Sequence, residues 1–351
     1  MNIRRDNPRS SATITNNDDV GGENETENYR RNDIATRETD NSTEFLIKYR
    51  DRVYNIRNFL HHHPGGRNTL ERYKDRVLDE TLAKYSHSKS AYHLLEEFAV
   101  QQQEKYDGCE DLIDWNAPIL QQVGLMGDRY WEWVNLPVNR PIRFFQSDIL
   151  ETLSVTPWYV LPIFWLPMAT YFFYVGCSSH TAINIAVTLQ NILPSFVLGV
   201  FIWTVVEYFV HKKIFHFKPP HNSKLLITLH FLFHGNHHKA PLDGRRLVIP
   251  PILGAIVAAI VWKAYKAMFP LTIAPFVAVG TIMGYLCYDL MHYYLHYGAP
   301  KAGSYLYTMK RRHNYHHFVY HDQGFGVTSE LWDRLLNTDL IMRNLKEPLE
   351  W

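Results

Sequence analysis

Apolar residues concentrate in the second half of the chain, where they form four long stretches. The stretches cover approximately 156–175, 183–208, 248–269 and 271–288. Each approaches the roughly 20 residues with which a helix crosses a hydrocarbon layer of about 30 Å. The third contains two lysines whose long side chains can reach the interface from a helix end. The pattern predicts four membrane helices, with a buried soluble bundle as the alternative for any single stretch.

The N-terminal part of the chain is polar. Residues 1–42 contain almost no large apolar residue, so they cannot bury enough surface to offset their conformational entropy, and we expect a disordered tail. A cleaved signal peptide would show a basic segment followed by an apolar one, and this pattern is not evident in the sequence. The start of the chain is therefore expected to stay cytosolic. The remaining predicted units are a small folded domain, a linker with a membrane-proximal segment, and a membrane domain, over 43–101, 102–155 and 156–345.

The predicted small domain begins with two short apolar runs. Residues 45–47 and 53–56 are typical of strands joined by a tight connection. The Pro64-Gly65-Gly66 sequence then indicates a sharp turn. Apolar positions between Ala91 and Phe98 recur with a helical period, which predicts a closing helix.

Composition limits the function classes. With 36 Lys and Arg against 35 Asp and Glu, the formal net charge of +1 gives no reason to expect a nucleic-acid partner. The cysteines are too far apart to form a CxxC motif, which indicates reduced thiols or an inert structural role; they are Cys109, Cys177 and Cys287.

Ten histidines in the second half of the chain form four groups. The groups are His211 and His216; His234, His237 and His238; His292 and His296; and His313, His316 and His317. Residues three or four apart share a helix face and can present both rings to one ion. His211 and His216 are five apart, so one of them is expected at a helix end. Single histidines are more often surface or capping residues, which applies to His180, His221, His230 and His321.

These ten histidines predict a metal centre. Imidazole suits Fe, Cu, Zn and Ni, and the scarcity of cysteine argues against a thiolate site. Because one ion rarely has more than six ligands, ten histidines imply two ions in one shared site.

Four spans place all four histidine groups on one side of the bilayer. The groups fall at the end of the second span, in the 212–247 connection, at the end of the fourth span and in the segment after it. Ten lysines and arginines lie on the same side, whereas the short opposite loop around 177–182 has none. The positive-inside rule then makes the histidine side cytosolic.

Residues 44–100 resemble a cytochrome b5 domain. The resemblance rests on the His63-Pro64-Gly65-Gly66 turn and on His87-Ser88 about twenty residues later. It implies that His63 and His87 are the two axial ligands of a haem b, which transfers single electrons because its iron has no open position. A tethered carrier supplies a high effective concentration of electron donor.

Other parts of this domain carry less of the resemblance. His61 and His62 are expected to face solvent, and His93 to follow the main helix. The family's first strand and helix have no clear counterpart in the Asn-rich tail, and Gln101 replaces the glycine that usually follows the closing valine.

The second half of the chain resembles the fatty acid hydroxylase superfamily, which includes sterol desaturases and methyl-sterol oxidases. The order HxxxxH, HxxHH, HxxxH, HxxHH carries this resemblance. Three segments are similar to the fatty acid 2-hydroxylase family within it: HFLFHGNHH at 230–238, DGRRLVIPP at 243–251 and YDLMHYYLHYG at 288–298. The resemblance covers about residues 44–340.

The resemblance implies a multi-domain fold and a reaction. A small α+β haem domain would precede an all-α integral membrane domain with four transmembrane helices and a cytosolic histidine-rich dimetal cap. The implied enzyme is a monooxygenase that uses O2 to hydroxylate C2 of long acyl chains, free or in ceramide, for sphingolipid synthesis. NADPH would supply electrons through a reductase, in the endoplasmic reticulum membrane. The ten grouped histidines would hold two ions, iron by the chemistry and zinc possible in purified protein.

Two carboxylates are candidates to orient ligand histidines. Asp289 precedes His292 by three residues and Glu207 precedes His211 by four, so each could accept a hydrogen bond from an imidazole N–H. The alternative is that they are helix-end carboxylates that pair with Lys212 or Arg311.

Two rival functions use the same features. A sterol desaturase or sterol methyl oxidase would act on a rigid ring, but the electron carrier in that branch is typically a separate protein. A membrane protein that carries zinc or handles haem would need polar residues through the bilayer. The histidines instead gather at one face.

Overall fold

The computed structural model describes residues 44–101, 109–345 and 347–351. The predicted disordered tail over 1–42 lies outside the described residues. Two parts follow in order: a small domain with a short sheet, and a helical domain with four helices long and apolar enough to cross a membrane. This is the predicted α+β domain followed by an all-α membrane domain.

The small domain contains a three-stranded sheet in the order β2-β1-β3, with strands Leu46–Tyr49, Arg52–Asn55 and Arg76–Val77 numbered along the chain. Strands β1 and β2 pair antiparallel through a two-residue turn, Arg50-Asp51, in which both residues have positive φ, as a tight hairpin requires. The inward side chains of this sheet, such as Tyr54, pack against Leu94 and Phe98. A 3₁₀ turn and three helices complete the domain, over Arg57–His62, Arg67–Glu71, Asp79–Lys84 and Lys89–Glu96.

The four predicted membrane helices are confirmed in number, with shifted ends. They are Val160–Ala182, Leu189–Phe215, Pro251–Met268 and Ala274–Tyr297, called here the first to fourth membrane helices. The first begins after Pro157, since proline disfavours a helical conformation at the preceding residue. The fourth continues nine residues beyond its apolar stretch, which carries His292 and His296 clear of the hydrophobic segment.

The fourth membrane helix is the centre of the bundle. In its most apolar segment 67% of the residues are buried, whereas only 6% are buried in the corresponding segment of the third membrane helix. Backbones of the second and fourth helices approach so closely at Gly199 and Gly280 that a Cβ at either position would lie about 2 Å from a carbonyl oxygen. The histidines on the fourth helix therefore belong to the most buried of the four membrane helices, while most of the third helix is exposed.

Short elements outside the membrane helices carry the histidines of the two HxxHH motifs. Residues 109–155, predicted as part of a linker and membrane-proximal segment, form short helices around a buried cluster that includes Tyr130 and Trp133. The elements of this segment are Glu110–Leu112, Leu120–Val123, Gly127–Arg129, Tyr130–Val134 and Asp148–Leu153. Those after the second membrane helix are Lys224–His230, Phe231–Gly235, Asn236–Lys239, Tyr305–Phe318 and Leu331–Leu335.

Candidate metal centre and haem site

Two π-helical turns shape the histidine positions. Residues His211–Phe215 form a π turn at the end of the second membrane helix, where the N–H of His216 donates to the carbonyl of His211 at 3.0 Å. The wider turn brings two histidines five residues apart to a ring-centroid distance of 4.9 Å. A second π turn, Phe231–Gly235, leads from His230 to His234. Such turns concentrate at functional sites because they redirect side chains within a continuous helix.

The ten histidines meet in two groups of five. In each group the candidate donor atoms all lie within 4.8 Å of one another. The first group is His211, His216, His234, His238 and His316, and the second group is His237, His292, His296, His313 and His317. The two groups adjoin, since the rings of His238 and His317 stack with centroids 4.4 Å apart.

Each HxxHH motif is divided between the groups. His234 and His238 point into the first group, whereas His237 points into the second. Successive residues on an α-helix diverge by about 100°, so neighbours cannot face one ion, while residues four apart can. The motifs are thus bridges between two adjacent sites.

Distances within the groups match metal ligation. The Nε2 atom of His234 lies 3.2 Å from that of His211 and 3.1 Å from those of His216 and His238. In the second group the Nε2 separations are 3.0 Å for His237 and His292, 2.8 Å for His296 and His313, and 3.1 Å for His313 and His317. With metal–nitrogen bonds of about 2.1 Å, ligands at right angles lie about 3.0 Å apart.

The protonation of these rings also fits a cation. Burial first, and then neighbouring histidines, hold the pKa of His234, His238 and His317 well below the usual value of 6.5. Neutral rings leave lone pairs converging on one point, and a cation satisfies them all. Five histidine donors around one ion would leave a sixth coordination position for a reacting molecule.

Backbone carbonyls orient two rings of the first group. The Nδ1 of His211 donates to the carbonyl of Phe325 at 2.5 Å, and that of His316 donates to Gln323 at 2.7 Å. Both carbonyls belong to residues 323–328, called here the carbonyl loop. These bonds fix the tautomer that leaves Nε2 free for a metal.

Glu207 acts on this loop rather than on His211. Its carboxylate accepts from the backbone N–H groups of Val327 at 3.0 Å and Thr328 at 2.7 Å, and from the Thr328 hydroxyl. The hypothesis of a direct hydrogen bond to His211 is replaced by an indirect one, because Phe325 already occupies the Nδ1 atom.

Asp289 plays for the second group the role that Glu207 plays for the first. Its Oδ2 accepts from the backbone N–H of Ile249 at 3.0 Å and the hydroxyl of Tyr285 at 2.9 Å. The ring of His292 hydrogen-bonds the backbone of Leu247 instead. Asp289 therefore anchors the segment that orients His292, again one step removed from the predicted contact.

Asp333 was not predicted from the sequence. It accepts from the backbone N–H groups of Phe325 at 3.0 Å and Gly326 at 2.9 Å, and it pairs with buried Arg312. No periodicity or spacing in the sequence marks this residue, because its partners lie on a loop without regular structure.

The single histidines stay outside both groups. The Nδ1 atom of His230 shares a hydrogen bond of 2.5 Å with the Tyr130 hydroxyl. Burial lowers the pKa of His230 to about 4. His221 is exposed beside Asp128. His321 lies near His238, with ring centroids 5.8 Å apart, without joining the first group.

His63 and His87 face each other across a gap in the small domain. Their ring centroids are 6.4 Å apart and their planes differ by 29°. With each Nε2 about 2.0 Å from an iron, and the ring centre roughly 1.1 Å behind it, two axial imidazoles have centroids about 6.2 Å apart. The Nδ1 atoms donate to the carbonyls of Gly66 at 3.0 Å and Tyr85 at 2.8 Å, which leaves both Nε2 atoms to the gap.

The Pro64-Gly65-Gly66 turn is shaped around His63. A Cβ on Gly65 would lie 2.7 Å from the His63 ring, and Gly66 has a φ of 80°. Burial lowers the pKa of His63 to about 4, so the ring remains neutral. These residues fit a haem with two histidine ligands.

The expectation that His61 and His62 face solvent is wrong for His62. Its ring packs edge-on against Tyr297 with centroids 5.2 Å apart and hydrogen-bonds the backbone of His296. Burial lowers its pKa to about 4. His61 is half-buried and lies 3.2 Å from an Arg67 guanidinium nitrogen. The predicted exposure considered the small domain alone, whereas this surface contacts the helical domain.

A largely apolar cavity of about 430 Å³ reaches the metal groups. Its lining includes His234 of the first group and His237 and His292 of the second. On the side of the third membrane helix it is lined by Ile252, Leu253 and Ile256, whose side chains are exposed on the helix surface. A long apolar ligand can therefore extend from the membrane to both groups.

Comparisons with known proteins match both parts of the chain. Residues 196–338 match the fatty acid hydroxylase family model, and residues 30–103 match the cytochrome b5-like heme/steroid binding domain. The chain is 39% identical over 329 residues to fatty acid 2-hydroxylase from Rattus norvegicus, covering 82% of this chain and 88% of that protein.

Two further matches each cover about two thirds of the chain. Dihydroceramide fatty acyl 2-hydroxylase FAH1 from Arabidopsis thaliana is 40% identical over 228 residues, which is 64% of this chain and 92% of that protein. A solved structure of full-length scs7p, in which only the hydroxylase domain is visible, superposes with a TM-score of 0.58 at 34% identity. It covers 68% of this chain and 88% of that one.

Proposed function

The chain belongs to the fatty acid 2-hydroxylase family, and we propose that it hydroxylates C2 of long acyl chains at the two histidine groups. It is a multi-pass membrane monooxygenase with a cytochrome b5-like domain. The observation that carries the proposal is the apolar cavity lined by histidines of both groups.

The first and second groups would each hold one ion, iron in the active enzyme. Such ions, when bound, activate O2 so that one oxygen atom enters a C–H bond and the other leaves as water, with two electrons and two protons consumed. The protein's own part is to keep ten imidazoles neutral, oriented and close to the substrate. His63 and His87 would hold haem b, which receives electrons from an NADPH-dependent reductase.

The cavity supports a long-chain substrate with its carboxyl end at the metal groups. Third-helix residues from Ile252 to Ile256 extend the apolar lining by about 6 Å along the helix axis. An acyl chain lying along this wall would place the carbons next to its carbonyl beside His237 and His292. Arg246 is an unsuitable partner for a free carboxylate, because it is bonded to Glu151, Ile142 and Ser154.

Two further properties belong to the proposal. The substrate is a free fatty acid or the acyl chain of a ceramide, and the product is a 2-hydroxy chain for sphingolipids. The protein lies in the endoplasmic reticulum membrane with haem domain and metal groups in the cytosol. Lys212, Lys213 and Lys218 at the histidine face support this orientation through the positive-inside rule.

Expression in a hydroxylase-deficient cell tests the proposal. Mass spectrometry of sphingolipids should show 2-hydroxy acyl chains for the unchanged protein and for His221→Gln, whose exposed ring belongs to neither group. The His292→Gln variant should yield none. Absence of 2-hydroxy chains from cells containing unchanged protein with haem and metal bound would refute the assignment, and an oxidised sterol appearing instead would support the sterol branch.

A further inference from the structure

The turn that carries His63 is hydrogen-bonded by residues far along the chain. Residues 347–351, called here the clamp, lie against residues 63–68. The carbonyl of Glu350 accepts from the Arg67 backbone N–H at 2.5 Å, and the Trp351 indole N–H donates to the His63 carbonyl at 3.1 Å. The Asn68 side chain donates to Pro348 at 3.1 Å and accepts from Glu350 at 3.2 Å.

The other side of the clamp rests on the 305–318 helix, which carries three of the grouped histidines. The Leu349 N–H donates to the Tyr307 hydroxyl at 2.8 Å, and the Tyr307 and Trp351 rings pack with centroids 5.3 Å apart. Leu349 and Trp351 are each only 8% exposed. Five residues thus join the haem-ligand turn to a metal-bearing helix.

Lys310 connects the clamp to the fourth membrane helix. Its ammonium group lies 5.0 Å from the centre of the Trp351 ring and donates to the carbonyls of Gly298 at 2.8 Å and His296 at 3.3 Å. A buried ammonium without these partners would be costly, so Trp351 and Lys310 hold each other in place. His62 reaches the same helix end, where its ring hydrogen-bonds the His296 backbone.

The tightness of this contact shows at Gly66. A Cβ there would lie 2.9 Å from the Glu350 carbonyl oxygen and 3.0 Å from its nitrogen. The turn needed for haem ligation is therefore also the surface that the clamp covers.

We propose that the clamp fixes the haem-ligand turn on the metal-bearing helices, with Trp351 as a positioning residue for electron delivery. The rest of the small domain has its own attachment, through Ser90 to Asn135 and Glu97 to Arg140. Loss of the clamp should consequently free the His63 turn without detaching the domain. The docking is independent of turnover, while its role in electron delivery rests on the proposed function.

Amide hydrogen exchange on the full haem-loaded protein tests the docking. The Arg67 amide bonds to Glu350 across the clamp, whereas the Gly66 amide bonds to His63 within the turn at 2.9 Å. In Trp351→Ala and in Asn68→Ala, exchange at Arg67 should rise at least tenfold and exchange at Gly66 should stay unchanged. Ile341→Ala, which truncates an apolar side chain that is 87% exposed, is the matched control and should change neither amide.

Two further readouts separate positioning from stability. The haem absorption spectrum and the metal content of Trp351→Ala should match the unchanged protein, while oxidation of its reduced haem in the presence of O2 and substrate should slow several-fold. Trp351→Phe, which keeps an aromatic ring but lacks the indole N–H, should be intermediate. Unchanged Arg67 exchange in both variants would overturn the docking. Raised exchange with unaltered haem oxidation would overturn the positioning role, whereas a lack of hydroxylation by the unchanged protein would count against the proposed function alone.

Discussion

Replacing Glu207 with alanine should weaken the first histidine group and spare the second. Glu207 holds the carbonyl loop through Val327 and Thr328, and this loop supplies the carbonyls that orient His211 and His316. Both of those rings belong to the first group. The second group depends on a different anchor, Asp289.

The magnitude follows from the bonds that are lost. Truncation of Glu207 leaves two backbone N–H groups unpaired in the interior, at about 1–3 kcal/mol each, and therefore roughly 2–6 kcal/mol in total. Loss of a hydrogen bond that orients a ligand histidine typically lowers metal affinity by about 10–100-fold, equivalent to about 1.4–2.8 kcal/mol. The free energy lost by the loop is large enough to account for such a fall in metal affinity. We therefore expect the affinity of the first group for its metal ion to fall at least tenfold.

Elemental analysis after equilibration with a competing chelator measures the effect. The metal content of Glu207→Ala should fall from two ions per chain to about one, with the haem spectrum unaltered. Asp289→Ala should also retain about one ion, and the double variant should retain almost none, because the two carboxylates act on separate groups. Asp148→Ala removes an exposed carboxylate and should retain both ions.

Two results would refute this reasoning. Unchanged metal content in both single variants would show that the carbonyl anchors do not matter for metal affinity. Parallel loss of both ions in Glu207→Ala would show that the two groups form one cooperative site.

Three other predictions concern the haem, the cavity and one buried histidine. His87→Ala should abolish haem binding and reductase-supported hydroxylation while both metal ions remain, and retention of a normal haem spectrum would contradict this ligand. Ile256→Trp should shift the product towards shorter acyl chains because it fills the cavity about 7.5 Å along the helix from Pro251, whereas Ile260→Trp, outside the cavity lining, should leave chain lengths unchanged. Because burial lowers the pKa of His230 to about 4, the unfolded chain binds a proton that the folded protein does not between pH 6.5 and 4. Protonation of the unfolded chain should lower the free energy of unfolding by up to about 3 kcal/mol as the pH falls through that range. Tm of the metal-loaded protein should therefore fall less steeply with acidification in His230→Phe than in the unchanged protein. Equal slopes would count against this prediction.

The amino-acid sequence predicts most of the fold that positions the site. Hydropathy alone predicts four membrane helices, because a span must be both long and apolar whatever its neighbours are. Helix ends were less predictable: the fourth membrane helix extends to Tyr297 because helical hydrogen bonding continues beyond the apolar segment. The β1 and β2 strands and the Gly65-Gly66 turn followed from local preferences.

The candidate site was predicted in membership but not in arrangement. The spacing of ten histidines indicated two ions, and the b5-like motifs indicated His63 and His87. The π turn between His211 and His216 was not predicted, since it depends on contacts of the bundle and not on local preference. The same holds for Asp333, whose partners lie on the carbonyl loop.

The sequence by itself determined which residue types are available: apolar spans, imidazoles at helical spacing and a turn that can hold a haem ligand. These features depend on neighbours within about five residues and survive any rearrangement of the helices. Only the tertiary structure decided how the HxxHH motifs divide between two groups and that Glu207 and Asp289 act through backbone segments. It alone also seats Trp351 against His63, because that contact joins residues 288 positions apart and requires the packing of three separate elements.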